Sequence, residues 1–387
     1  MRVLMVNYEF PPIGGGAATA TLFLAKSLLA QGHEVCVLTG AIGDLRGWTL
    51  EEGIEVVRVP TFRKLKDRAT IWEMGCFGFS GLLALPNVVH RFSPDCAIVM
   101  FTIPCGHIGL ALKKIWGVPY IISLRGGDVP GHVPHIDAYH KLLRPLRQAV
   151  LANARAVVAN SKGLAELSRE TSPVSVEVIR NGVDCCYFQP VPGAVNKRRP
   201  YTFLFVGRFS NEKMLSLLLD ELAALRRTGT TQFILYIVGD GPEGPNLKHQ
   251  SLQLGLEDVV IWHGWIDRER LRKIYQESDC LVNPSLYEGM SNAVLEAMAS
   301  GLPVIASAVR GNTDIVIHEE SGLLFDLNQS DGLQQVLRKV VDDRDAARSL
   351  GLRAREIAQT RFSWNSAAER YMTLFDSHSK MENTNAV

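Results

Sequence analysis

The chain has 387 residues, which at roughly 150 residues per domain predicts two domains. Its 41 Lys+Arg against 40 Asp+Glu leave a net charge of +1, which excludes the sign imbalance of a dedicated nucleic-acid binder or an acidic tail. Hydrophobic content of 47% and charged content of 21% predict a globular chain with a sizeable core and argue against long disorder.

The opening residues, MRVLMVNYEFPP, run straight into a strand and lack the zones of a signal peptide. No segment approaches the roughly 20 apolar residues of a spanning helix, so a soluble, cytoplasmic protein is expected. Short Val- and Ile-rich runs alternate with segments of helical period, the pattern of parallel α/β layering. In the first half, strands are predicted over Val3–Val6, Glu34–Thr39, Glu55–Val59, Cys96–Met100, Tyr120–Leu124, Ala156–Ala159 and Val176–Ile179. In the second they are predicted over Thr202–Val206, Ile234–Val238, Val259–His263, Cys280–Asn283, Val304–Ala306 and Gly322–Phe325.

Between the halves, FQPVPGAVNKRRP has the composition of a linker, which divides the chain into residues 1–190 and 200–362. After Phe325 the chain turns helical, and Trp364, Ala368, Tyr371 and Phe375 recur at helical spacing before a polar tail. Seven cysteines, at Cys36, Cys76, Cys96, Cys105, Cys185, Cys186 and Cys280, form no CxxC pair and fit a reducing compartment. Each half opens with a strand, a loop and a helix, as two nucleotide-fold units in series would, and ligands of such sheets bind beyond the carboxyl ends of the strands.

Four loops stand at such strand ends. Gly14, Gly15 and Gly16 precede a helix and let the backbone approach a phosphate or sugar, but Thr19 replaces the third glycine of the dinucleotide fingerprint. A helix-entry turn without a ligand accounts for them too. Arg208 and Lys213 follow the strand ending at Gly207 and suit a pyrophosphate, one as a bidentate clamp and the other as a mobile point charge. Gly239 to Pro242, GDGP, reads first as a tight turn and second as room for a nucleotide.

The segment from Ser285 to Ser307 is the most informative. Glu288 and Gly289 lie in a loop, Ser291 is placed to cap a helix, and Glu296 falls in its second turn. The N–H groups near Met290, Ser291 and Asn292 would point toward an anion before the helix, while the two carboxylates would accept hydrogen bonds from sugar or ribose hydroxyls. A loop charge and an exposed helix residue are the plain alternatives for them.

The segments EGMSNAVLEAMASGLPVIAS, GRFSNEK, GDGP, PPIGGG and NGVDCCYF together resemble the family 4 retaining glycosyltransferases of the GT-B fold. The likeness runs from Met1 to about residue 378. It implies two Rossmann-like, doubly wound domains facing a cleft, residues 1–190 for the acceptor and 200–362 for a UDP- or GDP-linked sugar donor. A C-terminal helix over 363–378 would return to the first domain. No cofactor and no metal are implied. By the resemblance, Arg208 and Lys213 bind the donor diphosphate, Glu296 takes the ribose hydroxyls, and Glu288 holds the transferred sugar with the N–H groups of Gly289, Met290, Ser291 and Asn292. His263, Gly264 and Trp265 would lie along the base, Gly239 beside the nucleotide, and Gly15 and Gly16 against the donor phosphate or sugar.

One departure stands out: many relatives carry a histidine in the loop after the strand that here reads YIISLRGGD, where this chain has Arg125. An arginine there would stabilise charge on the donor phosphate but is no base, which leaves Asp128 as the candidate for an acceptor hydroxyl. Cationic Arg208 and Lys213 against the departing diphosphate are then the principal catalytic groups, with Glu288 and Asp128 beside them. Retention would follow from same-face attack, with the leaving phosphate taking the acceptor proton.

The expected acceptor is a glycan or a lipid-linked glycan in bacterial surface polysaccharide synthesis. Two basic runs, with Arg63, Lys64, Lys66 and Arg68 in one and Lys141, Arg144 and Arg147 in the other, suit either peripheral contact with the inner face of the membrane or ordinary solvated helices. A nucleotide-sugar epimerase or a phosphorylase on a similar fold, and a non-catalytic nucleotide-sugar-binding subunit, remain the other readings.

Overall fold

The computed structural model describes residues 1–66, 69–133, 136–191, 200–229 and 232–382. They form two compact units, one of Met1–Gly182 with the segment from Trp364 onward, the other of Val183–Ser363. The first unit runs β1 (Arg2–Val6), α1 (Gly16–Ala30), β2 (Glu34–Ile42), β3 (Gly47–Glu51), β4 (Ile54–Arg63), α2 (Ile71–Phe92) and β5 (Cys96–Met100). It continues through α3 (Gly106–Trp116), β6 (Tyr120–Leu124), α4 (Asp137–Leu142), α5 (Arg144–Asn153), β7 (Ala156–Ala159), α6 (Lys162–Thr171) and β8 (Val176–Val178). Its sheet has the order β3-β4-β2-β1-β5-β6-β7-β8.

The inner strands β1, β2, β5, β6 and β7 are buried on both faces, which is why they read as continuous apolar runs. Along β1 the side chains alternate between two cores: Leu4 and Val6 pack with Phe77, Ile108 and Val150 from α2, α3 and α5, while Val3 and Met5 pack with Leu24 of α1. The alternation places different helices on the two faces. All pairings are parallel except β3, which runs antiparallel to β4. Strand β3 is absent from the sequence reading because it is a largely exposed edge with no apolar run. It is held through Arg58 of β4, whose guanidinium pairs with Glu51 and reaches Thr49 Oγ1 at 3.2 Å.

The second unit runs β9 (Tyr201–Val206), α7 (Leu215–Arg227), β10 (Phe233–Val238), α8 (Gly244–Gln253), β11 (Val260–Gly264) and α9 (Arg268–Glu277). Then follow β12 (Cys280–Asn283), α10 (Asn292–Ala299), β13 (Val304–Ser307), β14 (Gly322–Phe325), α11 (Gly332–Asp342) and α12 (Arg344–Arg361). Its sheet order is β11-β10-β9-β12-β13-β14, parallel throughout. This is the doubly wound order, and the chain reverses its direction of travel between β9 and β12. The crevice at that reversal point is where such a sheet offers room for a ligand.

The division between units falls at Gly182 and Val183, earlier than the Pro- and Gly-rich linker from which the sequence placed it. The residues before that linker are anchored in the second unit. Val183 N–H donates to Phe362 O at 2.9 Å, buried Phe188 meets Tyr275 edge-on at 5.6 Å, and Arg355 of α12 donates to Phe188 O at 3.1 Å. Residues 192–199 of the expected linker lie outside the described residues.

The last helix, α13 (Trp364–Glu382), belongs to the first unit. Its Trp364, Ala368, Tyr371 and Phe375 are all buried there, at about 1.5–3 kcal/mol for each large side chain. Tyr371 Oη lies 2.7 Å from Ser123 Oγ of β6, and Arg155 Nε donates to Leu374 O at 3.0 Å.

Candidate functional site

In the second unit the carboxyl ends of β9 to β13 carry five loops that lock together through their backbones. Phe209, buried against Trp262 at 5.7 Å, anchors the loop after β9. Its N–H donates to Asp240 O at 2.9 Å, and its carbonyl accepts from Glu243 N–H at 3.1 Å. The GDGP turn must be glycine-rich here: a Cβ on Gly239, at φ +130°, would stand 1.9 Å from Gly207 O, and one on Gly241 would stand 2.4 Å from Phe209 O. Gly239 N–H donates to Gly264 O at 2.8 Å, which joins the β11 loop to the same group. The turn is thus structural first, and Gly239 lies half-buried within it.

Lys213 ends a short 3-10 turn, Asn211–Lys213, just before α7. The loop after β12 is stitched to it by Leu286 N–H donating to Glu212 O at 2.8 Å. That stitch carries the ammonium of Lys213 to Glu288, Nζ to Oε1 at 2.5 Å. The Glu288 carboxylate is buried, and a buried charge needs such partners. Ser285 Oγ donates to the same oxygen at 2.9 Å and Asn283 Nδ2 reaches it at 3.5 Å.

Asn283 also donates to Ser291 Oγ at 3.0 Å, and Ser291 caps α10 by accepting from Val294 N–H. Below this, Ser307 Oγ donates to Ser285 O at 2.5 Å, and Asn312 Nδ2 donates to Ser307 O at 3.1 Å. Gly311, at φ +91°, lies where a Cβ would be 2.4 Å from Glu288 O. Gly289 and Met290 are buried in the same loop, while Asn292 and Ala293, the first turn of α10, are half-buried and turn their N–H ends to the loop.

Glu296 stands on α10 with Tyr275 Oη of α9 donating to its Oε2 at 3.0 Å. Burial pushes its carboxyl up to about 7, against the Tyr275 hydrogen bond and the Arg268 charge, which both pull it down. The Arg268 guanidinium lies over the Tyr187 ring at 4.0 Å, so the aromatic end of NGVDCCYF, Tyr187 and Phe188, forms part of this corner. Further along the edge, His263 meets Tyr236 edge-on at 5.0 Å, and burial lowers its basicity, with Arg270 adding to the effect. Gly264 takes φ +67°, and the Trp265 side chain is 74% exposed.

The second unit therefore brings Lys213, Glu288, Gly289, Met290, Ser291 and Asn292 into one cluster. Arg208 sits half-buried on the loop with Lys213. The sequence missed Asn283, Ser285, Ser307, Gly311, Asn312 and Tyr275. The loop after β13 was open to the rule that ligands lie beyond strand ends, whereas nothing in RERLRKIYQE singles out its tyrosine.

In the first unit, Gly15 caps α1 and both Gly15 and Gly16 are exposed. Gly14, at φ +95°, packs where a Cβ would be 2.6 Å from Glu9 Cβ, and its N–H donates to Lys66 O at 2.7 Å. A buried pair, Arg63 Nη2 to Glu9 Oε1 at 3.1 Å, braces this turn.

Arg125 follows β6, with Nη1 donating to Asn181 Oδ1 at 2.7 Å and Nη2 reaching Met100 Sδ at 3.2 Å. Asp128 does not take the role expected of it. It is 1% exposed, its Oδ2 accepts from Thr102 N–H at 2.8 Å and Thr102 Oγ1 at 2.9 Å, and its Oδ1 accepts from the N–H groups of Arg125 and Gly126 at 2.9 and 3.2 Å. With both oxygens occupied, it braces the loop that carries Arg125 and presents nothing to an acceptor.

The basic runs also divide. Arg63 and Arg147 are buried, the latter donating to Ser172 Oγ, whereas Lys64, Lys66, Lys141 and Arg144 are exposed. Arg68 lies outside the described residues. Among the described residues no cluster of His, Cys, Asp and Glu is arranged to hold a metal ion, and no helix is long and apolar enough to cross a membrane.

The family model described as Glycosyltransferase Family 4 matches residues 14–186, and that described as Glycosyl transferases group 1 matches residues 192–357. The chain is 34% identical over 359 residues to the UDP-Gal:alpha-D-GlcNAc-diphosphoundecaprenol alpha-1,3-galactosyltransferase of Escherichia coli, covering 89% of each chain. Among solved structures it is similar to sucrose-phosphate synthase from Thermosynechococcus elongatus, with TM-score 0.85, 23% identity, and 98% and 99% of the two chains covered. It is also similar to Anabaena HepE in complex with UDP-glucose, with TM-score 0.77, 21% identity, and 97% and 100% covered.

Proposed function

From the premise that this chain belongs to the family 4 glycosyltransferases, and is an enzyme of the GT-B fold, we propose that it moves a sugar with retention from a nucleotide-sugar donor to a glycan or lipid-linked acceptor. The donor is held by the second unit. The observation that carries this reading is the contact of Lys213 with Glu288, which joins the two strand-end loops on either side of the sheet's reversal point.

In this reading Arg208 and Lys213 bind the donor diphosphate, with Gly289 to Asn292 offering N–H groups to it or to the sugar. Glu288 receives its protein donors on Oε1, and its Oε2 accepts from a hydroxyl of the transferred sugar. The carboxylate also orients the Lys213 ammonium. Glu296 accepts from the ribose hydroxyls, and Gly239, Gly264 and Trp265 flank the base through their backbones. In the first unit, Asn181 holds the Arg125 guanidinium in one orientation.

The step breaks the bond from the sugar's anomeric carbon to the phosphate oxygen and forms one to the acceptor oxygen on the same face. The electron pair leaves with the diphosphate, whose growing charge Arg208 and Lys213 stabilise. The acceptor proton passes to a phosphate oxygen, so no side-chain base is required. The E. coli relative's name, with UDP-Gal as donor and a diphosphoundecaprenol-linked acceptor, supports a UDP-sugar and a lipid-linked acceptor, and this reading places the product in surface polysaccharide synthesis and the work at the inner face of the membrane.

The test is thermal stabilisation of the purified protein by UDP-, GDP- and ADP-sugars, followed by the anomeric configuration of the product by NMR. One nucleotide should raise Tm selectively, and less so in Glu296→Ala. No rise with any of them would overturn the donor site, and an inverted product would overturn retention.

A further inference from the structure

Helix α2 departs from the ordinary surface helix, whose outward face is polar. From Met74 to Val89 it carries no charged residue, and the carboxylate of Glu73 is buried in the capping box with Thr70. Its outward stripe is apolar instead: Trp72 is 75% exposed, and Phe79 and Leu83 are each 67% exposed. At roughly 3.6 residues per turn these three fall within about 40° of one another and extend along about 16 Å of helix.

The neighbours continue the pattern. Helix α2 packs on α3, and α3 on α5, over one face of the first sheet. Neither α3 nor α5 contains an acidic residue. Their exposed charges are cationic, Lys113 and Lys114 on α3 and Arg144 on α5, with Lys113 also donating to Asn153 O at 2.7 Å. Among the described residues the exposed carboxylates from the end of α2 through α6 are Asp95, in the turn after α2, where it accepts from Arg2 N–H at 2.7 Å, and Glu166 and Glu170 on α6, so none stands on α2, α3 or α5 themselves. Ile71 on α2 and Ile115 on the neighbouring α3 are exposed as well, and exposed apolar side chains gathered in this way mark an interaction surface.

We propose that the face built by α2, α3 and α5 is a docking surface for an anionic lipid bilayer. Trp72, Phe79 and Leu83 enter the boundary between headgroups and acyl chains, and Lys114 and Arg144 meet the lipid phosphates. Charge decides between this occupant and a second copy of the chain. A two-fold contact would press the same cations against each other with no exposed carboxylate on the three helices to receive them, whereas a bilayer of anionic headgroups complements all of them. The surface deepens the lipid-linked reading of the acceptor, and for its purpose rests on it. It would hold the enzyme where such an acceptor is embedded.

The test is flotation of the full chain with vesicles of phosphatidylcholine alone and of phosphatidylcholine mixed with an equal part of phosphatidylglycerol. The wild type should float with the mixed vesicles and release in high salt. Trp72→Ser with Phe79→Ser should weaken flotation by about tenfold or more, and Lys114→Glu with Arg144→Glu by a similar factor. All four positions are exposed, so circular dichroism and Tm should stay unchanged. Should one double variant fail to fold, the other still decides.

Absence of flotation with the mixed vesicles, equal flotation with neutral ones, or flotation untouched by both double variants would overturn the proposal. So would a concentration-dependent dimer that Trp72→Ser with Phe79→Ser dissolves, which would assign the face to a second copy. Release of nucleotide from the donor, measured without lipid, should be the same in wild type and variants. If that release occurs and flotation fails, the surface alone is lost; if flotation holds and no donor is consumed, the transferase reading alone is lost.

Discussion

Glu288 and Asp128 both sit in loops beyond strand ends, both are buried, and both were candidates for contact with substrate, yet the two units use them in opposite ways. The described donors to Glu288 converge on one oxygen, and one of them is the mobile ammonium of Lys213. Asp128 instead receives four donors shared between its two oxygens, three of them backbone N–H groups and the fourth the Thr102 hydroxyl. A carboxylate saturated by backbone donors fixes a loop; one held at a single oxygen by side chains keeps an acceptor in reserve. Burial alone does not separate the two cases, but the distribution of donors does.

The contrast predicts different failures. Arg208→Ala with Lys213→Ala should lower transfer by about a thousandfold or more, since charge on the leaving diphosphate loses its counterions, with the fold kept by circular dichroism but Tm lowered because buried Glu288 loses its cation; retained transfer in the folded double variant would break the assignment. Asp128→Ala should act on folding, costing about 3 kcal/mol because Thr102 and two backbone N–H groups lose their acceptor, read by urea denaturation. If that variant were fully stable but inactive, Asp128 would rejoin the chemistry and the contrast would fall.

Tyr275→Phe should raise the donor KM by about three- to tenfold, the net worth of one ordinary hydrogen bond, while leaving kcat nearly unchanged. Steady-state kinetics with the donor varied would show it, and a fall in kcat alone would place Tyr275 elsewhere in the cycle.

The smallest effect concerns protons. Glu296 binds its proton more tightly when folded, with a value of about 7 against the ordinary 4.5, so the folded state holds more protons between those values. Stability from this group is therefore fully present below about pH 4.5 and is lost as pH rises toward 7. A full shift corresponds to about 3 kcal/mol, which partial exposure brings to about 1–2 kcal/mol. Glu296→Gln should flatten that slope in denaturation curves taken across the range. A slope unchanged by the substitution would show that its carboxyl titrates normally. In the wild type, donor KM should fall as pH rises through about 7, because the ionised form is the better acceptor of ribose hydroxyls.

Much of this was legible in the letters. Strands buried on both faces are apolar runs, so all but the exposed edge strand β3 stood out, and the spacing of Trp364, Ala368, Tyr371 and Phe375 foretold a buried helical face. Arg208, Lys213 and the Ser285 to Glu296 segment were visible because strand-end loops and helix caps have compositional marks. The unit boundary was misplaced because Val183 and Phe188 precede a Pro-rich stretch that looks like a hinge, while their packing partners, Phe362 and Tyr275, are far away in sequence.

The sequence by itself determined the layered α/β plan, the family and the loops in which the chemistry must lie, because periodicity, caps and turn residues act over a few positions. Tertiary structure decided which charges are spent. Arg63 is neutralised by Glu9, Arg147 is buried with a donation to Ser172, Asp128 is saturated by groups from other elements, Glu288 is poised by Lys213 from another loop, and the outward face of α2 is exposed only because its opposite face packs on the sheet. Those outcomes depend on contacts between residues remote in the chain, and a one-dimensional pattern does not contain them.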